Sequence, residues 1–151
     1  MRYPNRNTDP GLREGYRSGL EETIGKQLES RGLPVNFESV KIPYKVPSRI
    51  SKYTPDFWLP NGIVIESKGR FVTKDRQKHM LVQAQHPDLD IRFVFSRSKT
   101  TISKASRTTY GMWCEKQGIP YADKLIPISW LTESPEPRRM AALKALLESQ
   151  K

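Results

Sequence analysis

Tyr53-Thr54-Pro55-Asp56-Phe57-Trp58-Leu59-Pro60-Asn61-Gly62-Ile63-Val64-Ile65-Glu66-Ser67-Lys68 is the stretch whose reading decides the fold. Phe57-Trp58-Leu59 and Ile63-Val64-Ile65 are β-rich runs on either side of a Pro-Asn-Gly turn, so the stretch reads as a hairpin. Leu59-Pro60-Asn61-Gly62 fits a type I turn, with Pro second and Gly fourth. A type I turn followed by a left-handed Gly makes a three-residue loop. That loop pairs Leu59 with Ile63, and therefore Asp56 with Glu66. A two-residue Asn61-Gly62 turn would pair Phe57 with Glu66 and send Asp56 to the opposite face. The turn chemistry favours the first register. Glu66 and Lys68, two positions apart on one strand, share a face. Asp56, Glu66 and Lys68 then converge, while Phe57, Leu59, Ile63 and Ile65 form the buried face.

Working outward, Leu20, Ile24 and Leu28 recur at helical spacing, and Gly32 and Pro34 stop that helix. Ser18-Gly19-Leu20-Glu21 has the capping-box form, which starts the helix at Ser18. Glu21 lies near the apolar face and can turn inward, whereas Glu22 points away from it. Residues 35–37 and 40–44 read as extended. Residues 45–52, basic and Ser-rich around Pro47, read as an exposed connector. Thr73 is a candidate cap for a helix to Gln85, ended by Pro87. Ile91, Phe93 and Phe95 alternate as a strand, residues 96–107 form a basic loop, and residues 109–117 and 138–148 read as helices. The expected fold is a mixed α/β domain with an αβββαβ core over residues 17–132. Residues 1–16 form an N-terminal arm and residues 133–151 a C-terminal helical tail.

Charge narrows the function. Lys and Arg number 26 against 16 Asp and Glu, a formal +10. Such a surface attracts polyanions, because Lys and Arg displace counterions from phosphates. No run of about 18 apolar residues exists to span a membrane. Residues 1–15 are polar and lack the apolar stretch of a secretion signal. Cys114 is the only cysteine, which excludes an internal disulfide and a thiolate zinc cluster. With only His79 and His86 as further soft ligands, zinc is disfavoured and a reducing cytoplasm expected.

The carboxylate pair carries the chemistry. Two neighbouring carboxylates repel unless a cation intervenes. Mg²⁺ or Mn²⁺, hard ions preferring oxygen, would relieve that repulsion. With Lys68 beside them to steady a developing phosphate charge, the set suits metal-assisted phosphodiester hydrolysis. The bland alternative is a surface hairpin with one ion pair. Glu21 likewise has a bland reading, as the capping partner of Ser18. His79 reads as a packed or surface histidine, with a phosphate contact as its functional option. Trp58, Trp113 and Trp130 read as core or dimer packing. Lys41, Lys45, Arg49, Arg70, Lys74, Arg76, Lys99 and Lys104 flank the hairpin and are candidate contacts to backbone phosphates.

Pro55-Asp56 followed by Glu66-Ser67-Lys68 has the PD-(D/E)xK form of the restriction-endonuclease-like nucleases. More narrowly, the chain resembles the phage endonuclease I family of Holliday-junction resolvases. The stretches that carry the resemblance include Arg17-Ser18-Gly19-Leu20-Glu21, Tyr53-Thr54-Pro55-Asp56-Phe57, Leu59-Pro60-Asn61-Gly62-Ile63, Gln85-His86-Pro87 and Ala122-Asp123-Lys124-Leu125-Ile126-Pro127. The resemblance implies a restriction-endonuclease-like mixed sheet flanked by helices. It implies that Asp56 bridges two metal ions, that Glu66 and the Ser67 carbonyl complete one site and that Glu21 serves the other. Lys68 would contact the attacking water or the scissile phosphate. It further implies cleavage of branched DNA to 5′-phosphate and 3′-hydroxyl ends, inside a phage-infected cell. The partner it implies is a second copy, in a dimer domain-swapped through roughly residues 45–52. Rival readings are a restriction or mismatch nuclease of the same superfamily, and a non-catalytic basic DNA-binding module.

Overall fold

A computed structural model describes residues 19–46 and 49–151. Its elements, in chain order, are α1 (Gly19–Ser30), β1 (Ile42–Val46), β2 (Arg49–Tyr53), β3 (Phe57–Trp58), β4 (Ile63–Lys68), α2 (Thr73–Gln85), β5 (Asp90–Phe95), α3 (Tyr110–Gln117), β6 (Tyr121–Asp123), α4 (Ile128–Leu131) and α5 (Pro137–Ser149). The central sheet has the order β3-β4-β5-β6, and β1 and β2 form a separate ribbon. β3 and β4 are antiparallel, while β4, β5 and β6 run parallel. The mixed α/β sheet flanked by helices is thus the observed class.

The hairpin adopts the three-residue loop. Phe57 pairs with Ile65 and Trp58 with Val64. The Gly62 N–H donates to the Leu59 carbonyl at 2.9 Å, and the Leu59 N–H to that of Ile63 at 2.8 Å. Gly62 sits at φ +92°, a region an L side chain enters only with strain. Its alternating side chains split between two cores. Phe57, Leu59, Ile63 and Ile65 pack with Ile24 and Leu28 of α1. Val64 faces Ile42, Tyr53, Val82 and, from α5, Leu143 and Leu146. A third cluster joins Phe71, Phe93, Phe95 and Trp113. Burying each such large side chain contributes about 1.5–3 kcal/mol.

Several expectations change. Within the expected connector, residues 45–46 and 49–52 lie in strands: β1 and β2 pair from Ile42↔Tyr53 to Val46↔Arg49. Only Tyr53 of β2 is buried, so main-chain pairing forms this strand and hydrophobic periodicity is blind to it. Pro47 lies outside the described residues, as does Ser18 with its cap. Residues 35–37 form no strand but a single bridge, Phe37↔Phe57, because Glu38 turns the chain at φ +46°. Thr73 does not cap α2. Val72 occupies the cap position, and its N–H donates to the Asp75 carboxylate at 3.3 Å. The Thr73 hydroxyl instead accepts from Arg76. Glu22 is as buried as Glu21, but it pairs with Lys26 at 2.9 Å and so lies off the site. Trp113 is core; Trp58 is half-buried, with its indole N–H donating to Ser39.

The C-terminal helix is fastened to the sheet. Arg139, 4 % exposed, donates to the Asn61 carbonyl at 2.8 Å, to Asp90 at 3.1 Å and to Glu133 at 2.9 Å. Arg92 pairs with the same two carboxylates at 2.8 and 2.9 Å. This network closes the end of the sheet opposite the C-terminus of β4.

Candidate active site

At the C-terminal end of β4 a cavity of about 480 Å³ opens, lined by Glu21, Glu38, Asp56, Glu66, Ser67 and Lys68 among others. Each comes from a different structural cause. The hairpin register sets Asp56 beside Glu66. The period of β4 puts Glu66 and Lys68 on the α2 side. Burial of Ile24 and Leu28 turns α1 so that Glu21 faces the same opening. The Glu38 N–H donates to the Asp56 carbonyl at 2.7 Å, which holds Glu38 at the rim.

Asp56 is 8 % exposed and Glu66 3 % exposed. One oxygen of Asp56 accepts both the Ser67 N–H at 2.8 Å and the Ser67 hydroxyl at 2.7 Å. These donors are not enough to keep it acidic: burial, then the charge of Glu66, pushes its pKa up to about 8. Glu66 is also raised, chiefly by its own burial, against the pull of Lys68. Lys68 stands 3.8 Å from Glu66 and 3.5 Å from Asp75. Burial acts against its charge, yet Glu66, Asp75 and Asp56 outweigh it and hold the pKa above the ordinary lysine value. His79 Nε2 stands 3.4 Å from Glu66. That contact is no ion pair, because burial drives the imidazole pKa down to about 3.

The site is therefore short of positive charge. Carboxylate oxygens of Glu21, Glu38 and Asp56 lie within 4.8 Å of one another, a spacing that one cation can span. All are hard oxygen donors, and Glu66 and Ser67 line the same cavity, so the residues fit Mg²⁺ or Mn²⁺ better than zinc. Glu38 escaped the sequence reading: it stands outside the PD-(D/E)xK spacing, and only the bridge to Phe57 brings it in. Asp75, the partner of Lys68, was missed because nothing local ties α2 to β4.

The candidate phosphate contacts are scattered. Arg70 lines the cavity, as does Lys78. Lys41, Lys45, Arg49, Lys74, Lys99 and Lys104 are exposed. Arg76 is half-buried, with its guanidinium donating to the Phe71 carbonyl and Thr73. The basic loop carrying Lys99 and Lys104 is tied down where the Ser98 N–H and hydroxyl donate to Asp123 at 2.9 and 3.1 Å.

The chain is 53 % identical over 125 residues to the protein named Endonuclease I of Escherichia phage T7, covering 82 % of this chain and 84 % of the relative. It is 54 % identical over 118 residues to Endodeoxyribonuclease 1 of Enterobacteria phage T3, covering 78 % of each. A sequence model of the family described as phage endonuclease I matches residues 6–150, so it also spans α5. The chain belongs to the phage endonuclease I family.

Proposed function

We propose that this chain is a structure-selective DNA endonuclease that resolves four-way and other branched junctions by metal-dependent phosphodiester hydrolysis, in the cytoplasm of a phage-infected cell. The observation that carries the reading is the convergence of Glu21, Asp56, Glu66 and Lys68 on one cavity in a strongly basic chain of this family. No helix among the described residues is long and apolar enough to cross a membrane.

Glu21, Asp56, Glu66 and the Ser67 carbonyl would hold Mg²⁺ or Mn²⁺, up to two ions per site. Bound there, a divalent metal would supply Lewis-acid polarisation of the scissile phosphate and lower the pKa of water toward neutral pH. The protein's own groups do the rest. Ser67 fixes Asp56 through two donors on one oxygen. Asp75 steadies Lys68, which stays an ammonium and offsets charge that develops on the phosphate. Exposed Lys and Arg hold the backbone and set where it lies. Cleavage leaves 5′-phosphate and 3′-hydroxyl ends.

A four-way junction has two-fold symmetry and needs two nicks, which suits a two-fold dimer. The β1–β2 ribbon is separate from the main sheet, so exchange at its tip would leave both sheets intact. It would also deliver Glu21 of one chain to Asp56, Glu66 and Lys68 of the other. A mixed dimer tests this. One chain carries Glu21→Ala and the other Asp56→Ala. With swapping, both lesions share one site and the intact site nicks one strand. Without it, every site is damaged and the heterodimer is inert.

The activity itself is tested by Asp56→Ala and Glu66→Ala. Both should bind a junction and fail to cut it, since binding rests on Lys and Arg. Cleavage above about a tenth of the native rate, a barrier change of only about 1.4 kcal/mol, would sink the assignment.

A further inference from the structure

Among the described residues, two buried side-chain atoms have no hydrogen bond of good geometry: the Tyr53 hydroxyl and His79 Nε2. Leaving a buried polar group unpaired costs about 1–3 kcal/mol, so two such atoms side by side call for a cause. They are neighbours. The rings stand 4.8 Å apart, edge to face at 80°. Both face Glu66. His79 Nε2 lies 3.4 Å from its carboxylate, and Glu66 is the charge that acts most strongly on Tyr53.

We propose that Tyr53 and His79 form a buried second layer that grips Glu66 and holds its carboxylate in the orientation a divalent cation requires. Tyr53 ends β2 and His79 sits on α2, so the pair closes on Glu66 from two elements that the sheet does not contain. The His79 ring is itself pinned edge-on to Phe93 at 4.7 Å and leans on Phe71 at 6.4 Å. With its proton on Nε2, the imidazole is a donor held 3.4 Å from the carboxylate, and the phenol is a second donor beside it.

Tyr and His are donors without the fixed positive charge of Arg or Lys, which would orient Glu66 but also neutralise it, and so compete with the metal. Groups that orient metal ligands in this way typically contribute about 10–100-fold in affinity or activity. The alternative is plain packing, in which the two rings fill space and their polar atoms are incidental.

The proposal rests on the metal-nuclease reading, and metal binding separates the two. Calorimetric titration of the full-length protein with Mn²⁺, without DNA, is the assay. Tyr53→Phe keeps the ring and removes the oxygen; His79→Leu removes the donor. Each should weaken Mn²⁺ binding about tenfold or more. Each should raise the Mn²⁺ needed for half-maximal cleavage and leave junction binding in EDTA unchanged. The metal-free melting temperature of Tyr53→Phe should change little, which separates a lost grip on Glu66 from a lost fold. Should His79→Leu fail to fold, Tyr53→Phe decides. Mn²⁺ affinity within about twofold of native in the folded variants would overturn the second layer alone. A native protein that binds no Mn²⁺ would overturn the metal reading with it.

Discussion

Asp56→Asn exchanges a buried carboxylate for an amide of the same shape, and the site predicts opposite effects on activity and stability. Without metal, burial and then Glu66 push the Asp56 carboxyl up to about 8. In the unfolded chain it ionises near pH 4, to within about half a unit. Between those values the folded state keeps a proton that the unfolded state has released. Stability therefore falls as pH rises through the window, by at most about 1.4 kcal/mol per pH unit for one proton. Glu66, also raised by burial, acts in the same direction. His79 acts the other way. Its pKa is held down to about 3 by burial, so the unfolded state takes up a proton below about pH 6.5 and stability rises with pH up to that point. Between that point and pH 8 the raised carboxyls of Asp56 and Glu66 set the slope. From pH 6.5 to 8, one proton amounts to about 2 kcal/mol, or about 4–8 °C of melting temperature for a chain of this size. Asn carries no charge and still offers an oxygen to the two Ser67 donors. In EDTA at pH 8, Asp56→Asn should melt above the native protein by at least the ~4–8 °C that the native protein loses over this window, and its melting should vary less between pH 6.5 and 8. It should not cut junctions. Thermal melts followed by circular dichroism, at one protein concentration because a dimer melts with mass action, give the answer. A variant that melts at or below native at pH 8, or a native melt that is flat over the window, would refute the electrostatic reasoning.

Glu21→Gln keeps the shape and removes a ligand charge. If the metal supplies several kcal/mol of transition-state stabilisation, cleavage should fall about a hundredfold or more, with junction affinity retained in a gel-shift assay; full activity would return Glu21 to a structural role. Arg139→Ala strips the Asn61 and Ser134 carbonyls and two carboxylates of a buried donor. Equilibrium urea unfolding should show a loss of about 3–5 kcal/mol, and a loss under about 1 kcal/mol would mean that Arg92 carries the network alone. A Cβ at Gly111 would lie 2.7 Å from the Tyr121 ring, whose hydroxyl is held by Glu115 at 2.7 Å. Gly111→Ala should cost about 1–3 kcal/mol; an unchanged melting temperature would show that the ring moves freely.

Features written in local chemistry were legible in the sequence. Pro60-Asn61-Gly62 dictates the loop, the loop dictates the register, and the register puts Asp56 opposite Glu66. The turn's outer support was not legible: a Cβ at Gly62 would meet Met140 and Arg139, which approach from far along the chain. β1 was legible as an extended run, but β2 was missed because its exposed side chains carry no hydrophobic alternation, although its main chain pairs with β1 over five positions. β6 was missed because three residues are too few for a periodic signal. The site's periphery was hidden for the same reason as the turn's support. Glu38, Asp75, Tyr53 and His79 reach the hairpin from other elements, and no local spacing announces them.

The most direct test of the account is cleavage of a synthetic four-way junction beside a linear duplex of matched sequence, first with Mg²⁺ and then with EDTA. The account predicts paired nicks in opposite strands of the junction with Mg²⁺, little cutting of the duplex, and binding without cleavage in EDTA. Equal cutting of junction and duplex, or cutting that persists in EDTA, would contradict it.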